Sequence, residues 1–209
     1  MATVSLETSR KNRRRVMFGP ESAGTWMTDL EFDSGDFEEG WRYELIHGVL
    51  VVSPIPGNAQ VDPNEQLGYL LRRYREEHPR GSALDATLPE RYVRWRRNRR
   101  IADRLIWAGL GRRPNTSRDV AAIAVEFVSR GKVNRRRDYQ EKRDEFMALG
   151  IREYWIIDRF DRTMTVFSMT GGKVRRRVVR ESETYRTKLL PGFELPLAQL
   201  FQFADRWED

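Results

Sequence analysis

Residues 119–129 (DVAAIAVEFVS) form the most apolar stretch of this chain. A short, nearly continuous apolar run fits a central strand covered on both faces. A polar loop precedes it at 109–118 (GLGRRPNTSR), and a helical pattern follows over 137–149. Gly150 closes that helix where a left-handed residue is favoured. Tyr154-Trp155-Ile156-Ile157-Asp158 is then a second apolar strand. This strand–helix–strand core, with hairpins before and after it, predicts an α/β fold. The expected architecture is a mixed central sheet flanked by helices, with β-hairpin additions.

The other elements follow from local signals. Two apolar runs, 41–46 and 49–54, meet at His47-Gly48 and read as a hairpin that Pro54 and Pro56 end. Leu67, Leu70, Leu71 and Tyr74 recur at helical spacing over 64–77, with Asn64 as the expected cap. Residues 84–95 read as one or two short strands, 96–100 (RRNRR) as a basic loop, and 101–109 as a strand. A further hairpin is expected at 163–168 and 173–179 around Gly171-Gly172, and a closing segment runs to Phe201. Residues 1–25, with Lys11, Arg13, Arg14 and Arg15 and no apolar period, read as a flexible basic tail. Residues 26–209 read as a single domain, long enough to bury a core.

Composition excludes several chemistries. The chain has no cysteine, so disulfides, thiolate metal sites and cysteine nucleophiles are ruled out. Two histidines, His47 and His78, leave little scope for a multi-imidazole site. No apolar run approaches the roughly 20 residues of a membrane helix, so no membrane partner and a cytoplasmic location are expected. The formal charge is +7, from 33 Arg and 5 Lys against 31 acidic residues. Such an excess favours a polyanionic partner, and nucleic acid is the commonest.

With so many charges on the surface, the informative ones are those among apolar residues. Glu126 stands inside Ile123-Ala124-Val125-Glu126-Phe127-Val128. A carboxylate there loses hydration and needs a metal ion, an arginine or backbone donors in return. A salt bridge at the strand end would meet the same need. Asp103 opens the strand Leu105-Ile106-Trp107, and Glu44 sits within Tyr43-Glu44-Leu45-Ile46. At about 100° per residue, Lys142 falls in the apolar stripe of its helix, bracketed by Tyr139, Phe146 and Leu149. Glu141, Glu145 and Asp144 lie off that stripe. Lys142 is then either a snorkelling stem, an i,i+4 partner of Asp138, or an ammonium aimed at the strand end carrying Glu126. At a stripe edge, its removal is expected to leave folding intact. Three acids and a lysine among apolar residues form a hard-oxygen set suited to Mg²⁺ or Mn²⁺. That set can serve phosphodiester hydrolysis, in which a metal lowers the pKa of the attacking water.

Several stretches together resemble the Uma-type family of putative restriction endonucleases within the PD-(D/E)XK nuclease superfamily. They are Tyr43-Glu44-Leu45-Ile46-His47-Gly48-Val49-Leu50-Val51, Ile101-Ala102-Asp103 and Val125-Glu126-Phe127-Val128-Ser129, followed by Asp138-Tyr139-Gln140-Glu141-Lys142. Gly150-Ile151-Arg152-Glu153-Tyr154-Trp155-Ile156-Ile157-Asp158 and Leu190-Pro191-Gly192-Phe193 complete the set, which spans about residues 26–203. The resemblance implies that Asp103 is the first motif acid, Glu126 the second and Glu44 an acid from the N-terminal element. It makes Lys142 the lysine of the following helix. The chain departs from the pattern in two places. Ala102 stands where the motif has proline, and Glu126-Phe127-Val128 lacks the third-position lysine. Lys142 is the expected substitute, with Lys132 in the loop Ser129-Arg130-Gly131-Lys132 as its rival.

The leading reading is therefore an Mg²⁺- or Mn²⁺-dependent DNA endonuclease with Glu44, Asp103, Glu126 and Lys142 at its centre. Arg96, Arg97, Arg99, Arg100, Lys132, Arg135, Arg136 and Arg137 would contact DNA. Cutting both strands asks for two active sites, which a homodimer would supply. The alternative is an inactive nuclease-fold protein that binds nucleic acid through the same basic residues and does not need the acids.

Overall fold

The computed structural model describes residues 16–129 and 137–207, with backbone alone for 137 and 138. The short N-terminal elements are β1 (Met17–Phe18), a 3₁₀ turn (Pro20–Ser22), α1 (Asp29–Ser34) and β2 (Asp36–Phe37). β3 (Trp41–Ile46), β4 (Val49–Pro54), α2 (Asn58–Glu77), a second 3₁₀ turn (Gly81–Ala83), β5 (Leu84–Trp95), β6 (Asn98–Ala108) and β7 (Ile123–Phe127) follow. A π-helical stretch, Arg137–Lys142, runs into α3 (Arg143–Leu149). The chain continues through β8 (Glu153–Asp158), β9 (Thr163–Thr170), β10 (Lys173–Arg180), β11 (Thr184–Tyr185), β12 (Leu195–Pro196) and α4 (Leu197–Ala204).

The main sheet has the order β10-β9-β8-β7-β6-β3-β4, with β5 also paired to β6. β7 and β8 run parallel, joined by the crossover that carries α3, and the other pairs in this sheet are antiparallel. The apolar run thus lies near the middle, and every residue of β7 is buried. Ile123, Val125 and Phe127 pack on one face with Leu67 and Leu71 of α2 and Leu200 and Phe201 of α4. Ala124 packs on the other face with Phe146 and Met147 of α3. α3 ends as the sequence implies: Gly150 adopts φ 101°, and the amide of Ile151 returns to the carbonyl of Phe146 at 3.1 Å.

Long strands change the environment of β6. β5 lines one edge of β6 from Ala108 back to Asn98. The other edge is therefore shared: β3 pairs at Arg99, and β7 pairs at residues 104–106. Between these two contacts lies a fork, centred on residues 101–103. Ala102 and Leu105 both pack on the α3 side, so the inside–outside alternation slips near Asp103. The ladder pair expected between Asp103 and Glu90 is also missing, and Glu90 takes φ 44°.

Several sequence expectations need correction. Residues 16–25 are not tail: β1 pairs with β2, and the amide of Gly24 bonds the carbonyl of Leu50. α2 starts at Asn58 with Gly57 as its cap and runs through Pro63, so Asn64 lies inside the helix. There its side chain serves β6 rather than the helix terminus. Residues 84–95 are one strand, and Asn98, Arg99 and Arg100 belong to β6 rather than to a loop.

Candidate functional site

The fork in the sheet is where the buried charges gather. Glu44, Asp103, Glu126 and Lys142 are each at most 4% exposed. Continuing the β6–β7 register by one step places Asp103 opposite Glu126 on adjacent strands. Glu44 reaches in from β3, and Lys142 comes down from the end of the π-helical stretch above the sheet.

Each of these side chains answers a backbone or charge demand created by the fork. The amide of Ile101 donates to Oε1 of Glu44 at 2.8 Å. Lys142 donates to the Ile101 carbonyl at 2.8 Å, and its Nζ lies 2.9 Å from Oε1 of Glu126 and 3.8 Å from Oε1 of Glu44. Asp103 accepts from the amide of Phe127 through Oδ2 at 2.7 Å and from Arg42 through Oδ1 at 2.9 Å. On the α2 side, Asn64 donates to the Asp103 carbonyl at 2.9 Å, and Gln60 donates to the Phe127 carbonyl at 2.8 Å. The amides of Ile101 and Phe127 and the carbonyls of Ile101, Asp103 and Phe127 are thus met by partners, as their desolvation requires.

Two arginines complete the frame. Arg42 and Glu44 are two residues apart on β3, so they share a face of that strand. Burial pulls the Arg42 guanidinium down, but the charges of Asp103 and Glu126 outweigh it and hold it above the ordinary arginine value. Arg104, fully buried, donates to Asn64 Oδ1 at 2.7 Å and to the Asn64 carbonyl at 2.8 Å. Burial lowers its pKa to about 10. Gly68 makes room for it: a Cβ there would lie 2.7 Å from the Arg104 guanidinium. Arg104 and Asn64 thereby clamp α2 to β6 next to Asp103. Sequence reasoning missed Arg42, Asn64 and Arg104 as parts of this frame. For Arg42 a signal existed, because its i,i+2 spacing to Glu44 puts both on one strand face.

Lys142 occupies the place the helical stripe implies, yet not at the stripe's edge. At 2% exposure and within 2.9 Å of Glu126 it is part of a buried ion pair. The expectation that its removal spares folding is corrected on that ground, since a lone buried charge is costly. Lys132, its rival, lies outside the described residues, as do Arg135 and Arg136 and the side chain of Arg137.

The remaining basic residues divide. Arg96 and Arg97 are exposed at the turn between β5 and β6. They line a cleft with His47, Trp95, Asn98 and Glu145, and the Arg96 guanidinium stacks 5.2 Å from the Trp95 ring centroid. Arg99 and Arg100 do not belong with them. Arg99 is held by Asp33 at 2.9 Å and Asp29 at 3.2 Å, and Arg100 by Glu145 at 2.7 Å and Glu141 at 3.2 Å. Both are buried. Their assignment as DNA contacts is corrected: they tie α1 and the helical segment above the sheet to the start of β6.

The donor chemistry of Asp103, Glu126 and Glu44, all hard carboxylate oxygens, fits Mg²⁺ or Mn²⁺. In this arrangement those oxygens face Arg42, Lys142 and backbone amides. Among the described residues, no group of three acidic or imidazole side chains is placed to hold a metal ion as it stands, and Mg²⁺ is commonly held by one or two carboxylates with waters. No helix among the described residues is long and apolar enough to cross a membrane.

Residues 28–198 match the family model described as "Uma2: Putative restriction endonuclease". No match was found among curated proteins. Among solved structures, the chain is similar to a putative nuclease belonging to DUF820 from Anabaena variabilis, with a TM-score of 0.67 at 12% identity. The alignment covers 85% of this chain and 99% of that one. At that identity the likeness is one of fold, and it agrees with the mixed sheet flanked by helices.

Proposed function

This chain belongs to the Uma2 family of putative restriction endonucleases, and we propose that it is a metal-dependent endonuclease cutting DNA phosphodiester bonds at the sheet fork. The observation that carries this reading is the buried Lys142–Glu126 pair, 2.9 Å apart, next to Asp103 on the adjoining strand. Neutral side chains could cap the backbone groups of the fork, whereas burying three carboxylates and a lysine there is costly, and a nuclease centre is what would use that charge.

Asp103 and Glu126 would hold the Mg²⁺ or Mn²⁺, with Glu44 approaching from β3. When bound, the metal would neutralise phosphate charge and lower the pKa of the attacking water. The chain's own residues do the rest. Asp103 and Glu126 present charge from strands fixed by backbone hydrogen bonds, so little reorganisation is needed when charge develops. Lys142 is a fixed cation for the nucleophilic water or the scissile phosphate. Arg96 and Arg97 supply exposed charge for the DNA backbone, an interaction that positions the duplex without reading its sequence.

The test is plasmid cleavage with and without Mg²⁺, by wild type, Glu126→Ala and the near-isosteric Glu126→Gln. Metal-dependent nicking or linearisation by wild type, lost in both variants, is the expected result. Salt-sensitive DNA binding by a folded wild type that never cleaves, with Mg²⁺ or Mn²⁺, would instead identify the protein as a binding module.

A further inference from the structure

Arg42 stands inside the cluster of acids with no part in the chemistry outlined above. Its Nη2 lies 2.9 Å from Oδ1 of Asp103. The other oxygen of Asp103 takes the amide of Phe127 at 2.7 Å, so Oδ1 is the oxygen turned towards a cation. The Arg42 side chain keeps 17% exposure, against 3% for Lys142, so it is the cation of the two that solvent reaches.

We propose that Arg42 is an internal competitor of the metal: its guanidinium fills, at Oδ1 of Asp103, the position a divalent cation would take, and must withdraw for the metal to bind. The inference rests on reading Asp103 and Glu126 as metal ligands. The physical argument is one of charge and mobility. A cation against a carboxylate repels a second cation approaching the same oxygen, and the repulsion is strong where water is scarce. Arginine cannot escape by losing its proton, as a buried lysine can, so it has to move. Lys142 is placed differently: it also holds the Ile101 carbonyl at 2.8 Å and lies deeper, which fixes it. Arg42 has a flexible stem and a path to solvent. A DNA phosphate offers a displaced guanidinium a well-matched fork of acceptors, so substrate would help draw it away and tie metal loading to DNA arrival.

The experiment is calorimetric titration of the full chain with Mn²⁺, comparing wild type, Arg42→Gln and Arg42→Met. Gln keeps a donor for Asp103 without the charge, and Met keeps only the stem. Both variants are expected to bind Mn²⁺ at least about tenfold more tightly than wild type, the size of effect expected when a contacting charge is removed. Equal or weaker binding in both, with wild type still binding, would show that Arg42 holds Asp103 in place rather than opposing the metal. If a variant unfolds without metal, circular dichroism during refolding decides. Recovery in Mn²⁺ but not in NaCl of equal ionic strength supports the competition, and failure in both overturns it. Folded wild type and variants that all ignore Mn²⁺ would remove the metal reading itself, and this inference with it.

Discussion

Replacing Lys142 by methionine keeps most of the side chain's length and volume and removes its charge. The variant loses a buried ion pair of 2.9 Å with Glu126 and a 2.8 Å hydrogen bond to the Ile101 carbonyl. Breaking one side of a buried pair costs about 3–5 kcal/mol, because the remaining charge has no water to return to. Native stability is only about 5–15 kcal/mol. For a domain of this size each kcal/mol moves the melting temperature by roughly 2–4 °C, so Lys142→Met should melt about 6–20 °C lower than wild type. Glu126→Gln should also destabilise, since it leaves Lys142 beside a neutral amide. The double variant replaces the ion pair by two neutral groups and should be more stable than Lys142→Met alone.

Thermal melts of the four proteins give the coupling directly, with about 1–3 kcal/mol expected between contacting residues. Cleavage assays on the same four proteins separate fold from chemistry. Lys142→Met should lose cleavage by about 10²-fold or more, the usual size for a transition-state electrostatic contact. The double variant should recover stability but not cleavage. Strict additivity of the two melting shifts, or a Lys142→Met protein that melts with wild type, would refute the buried-pair argument.

Arg96→Ala with Arg97→Ala should weaken DNA binding and lower the salt slope by about one for each phosphate left without its arginine, with little change in melting. Arg100→Ala should do the reverse, lowering the melting temperature by stranding Glu145 while leaving the salt slope intact; titrations across ionic strength alongside melts would show either pattern. Asp119 is held down to about 2 by the hydrogen bond from Arg112, helped by the backbone amide of Asn115. Its folded pKa is depressed, so its contribution to stability is present above the ordinary aspartate value near 3.9 and is lost as pH falls through about 2. Arg112→Ala should return its carbon-13 titration midpoint towards that ordinary value, and an unchanged midpoint would discount the pair.

What could be read from the sequence was what depends on local pattern. The β3–β4 hairpin, the buried β7, the glycine stop of α3 and the inward turn of Lys142 all follow from periodicity and turn chemistry. What escaped reading depends on partners distant in the chain. Arg99 and Arg100 look like solvated charges because their neighbours are arginines. They are buried because Asp29 and Asp33 of α1, and Glu141 and Glu145 above the sheet, come to meet them. Asn64 carries the signal of a helix cap, yet α2 starts at Asn58 and continues through Pro63, with Leu67 and Leu71 packing beside Leu200 and Phe201 of α4 on one face of the sheet. The resemblance named Glu44, Asp103, Glu126 and Lys142, and all four side chains are buried at the fork. The spacing to Glu44 puts Arg42 on the same strand face, but its partner Asp103, 61 positions away, needed the fold to be seen.

The sheet fork also explains why these side chains cannot be exchanged freely for alanine. β6 has one edge fully used by β5 and one edge divided between β3 and β7, so among the described residues no strand pairs with its backbone at 101–103 on that side. The gap is closed by Glu44 on the Ile101 amide, Lys142 on the Ile101 carbonyl, and Asp103 on the Phe127 amide. Each residue thus does a strand's work as well as its own. An alanine there leaves a buried backbone group unmet, at about 1–3 kcal/mol, before any chemistry is lost. An inactive Asp103→Ala or Glu44→Ala protein therefore says little about catalysis. Asp103→Asn and Glu44→Gln keep an acceptor in place and remove only the charge, so they are the substitutions through which the metal and the phosphate can be tested apart from the fold.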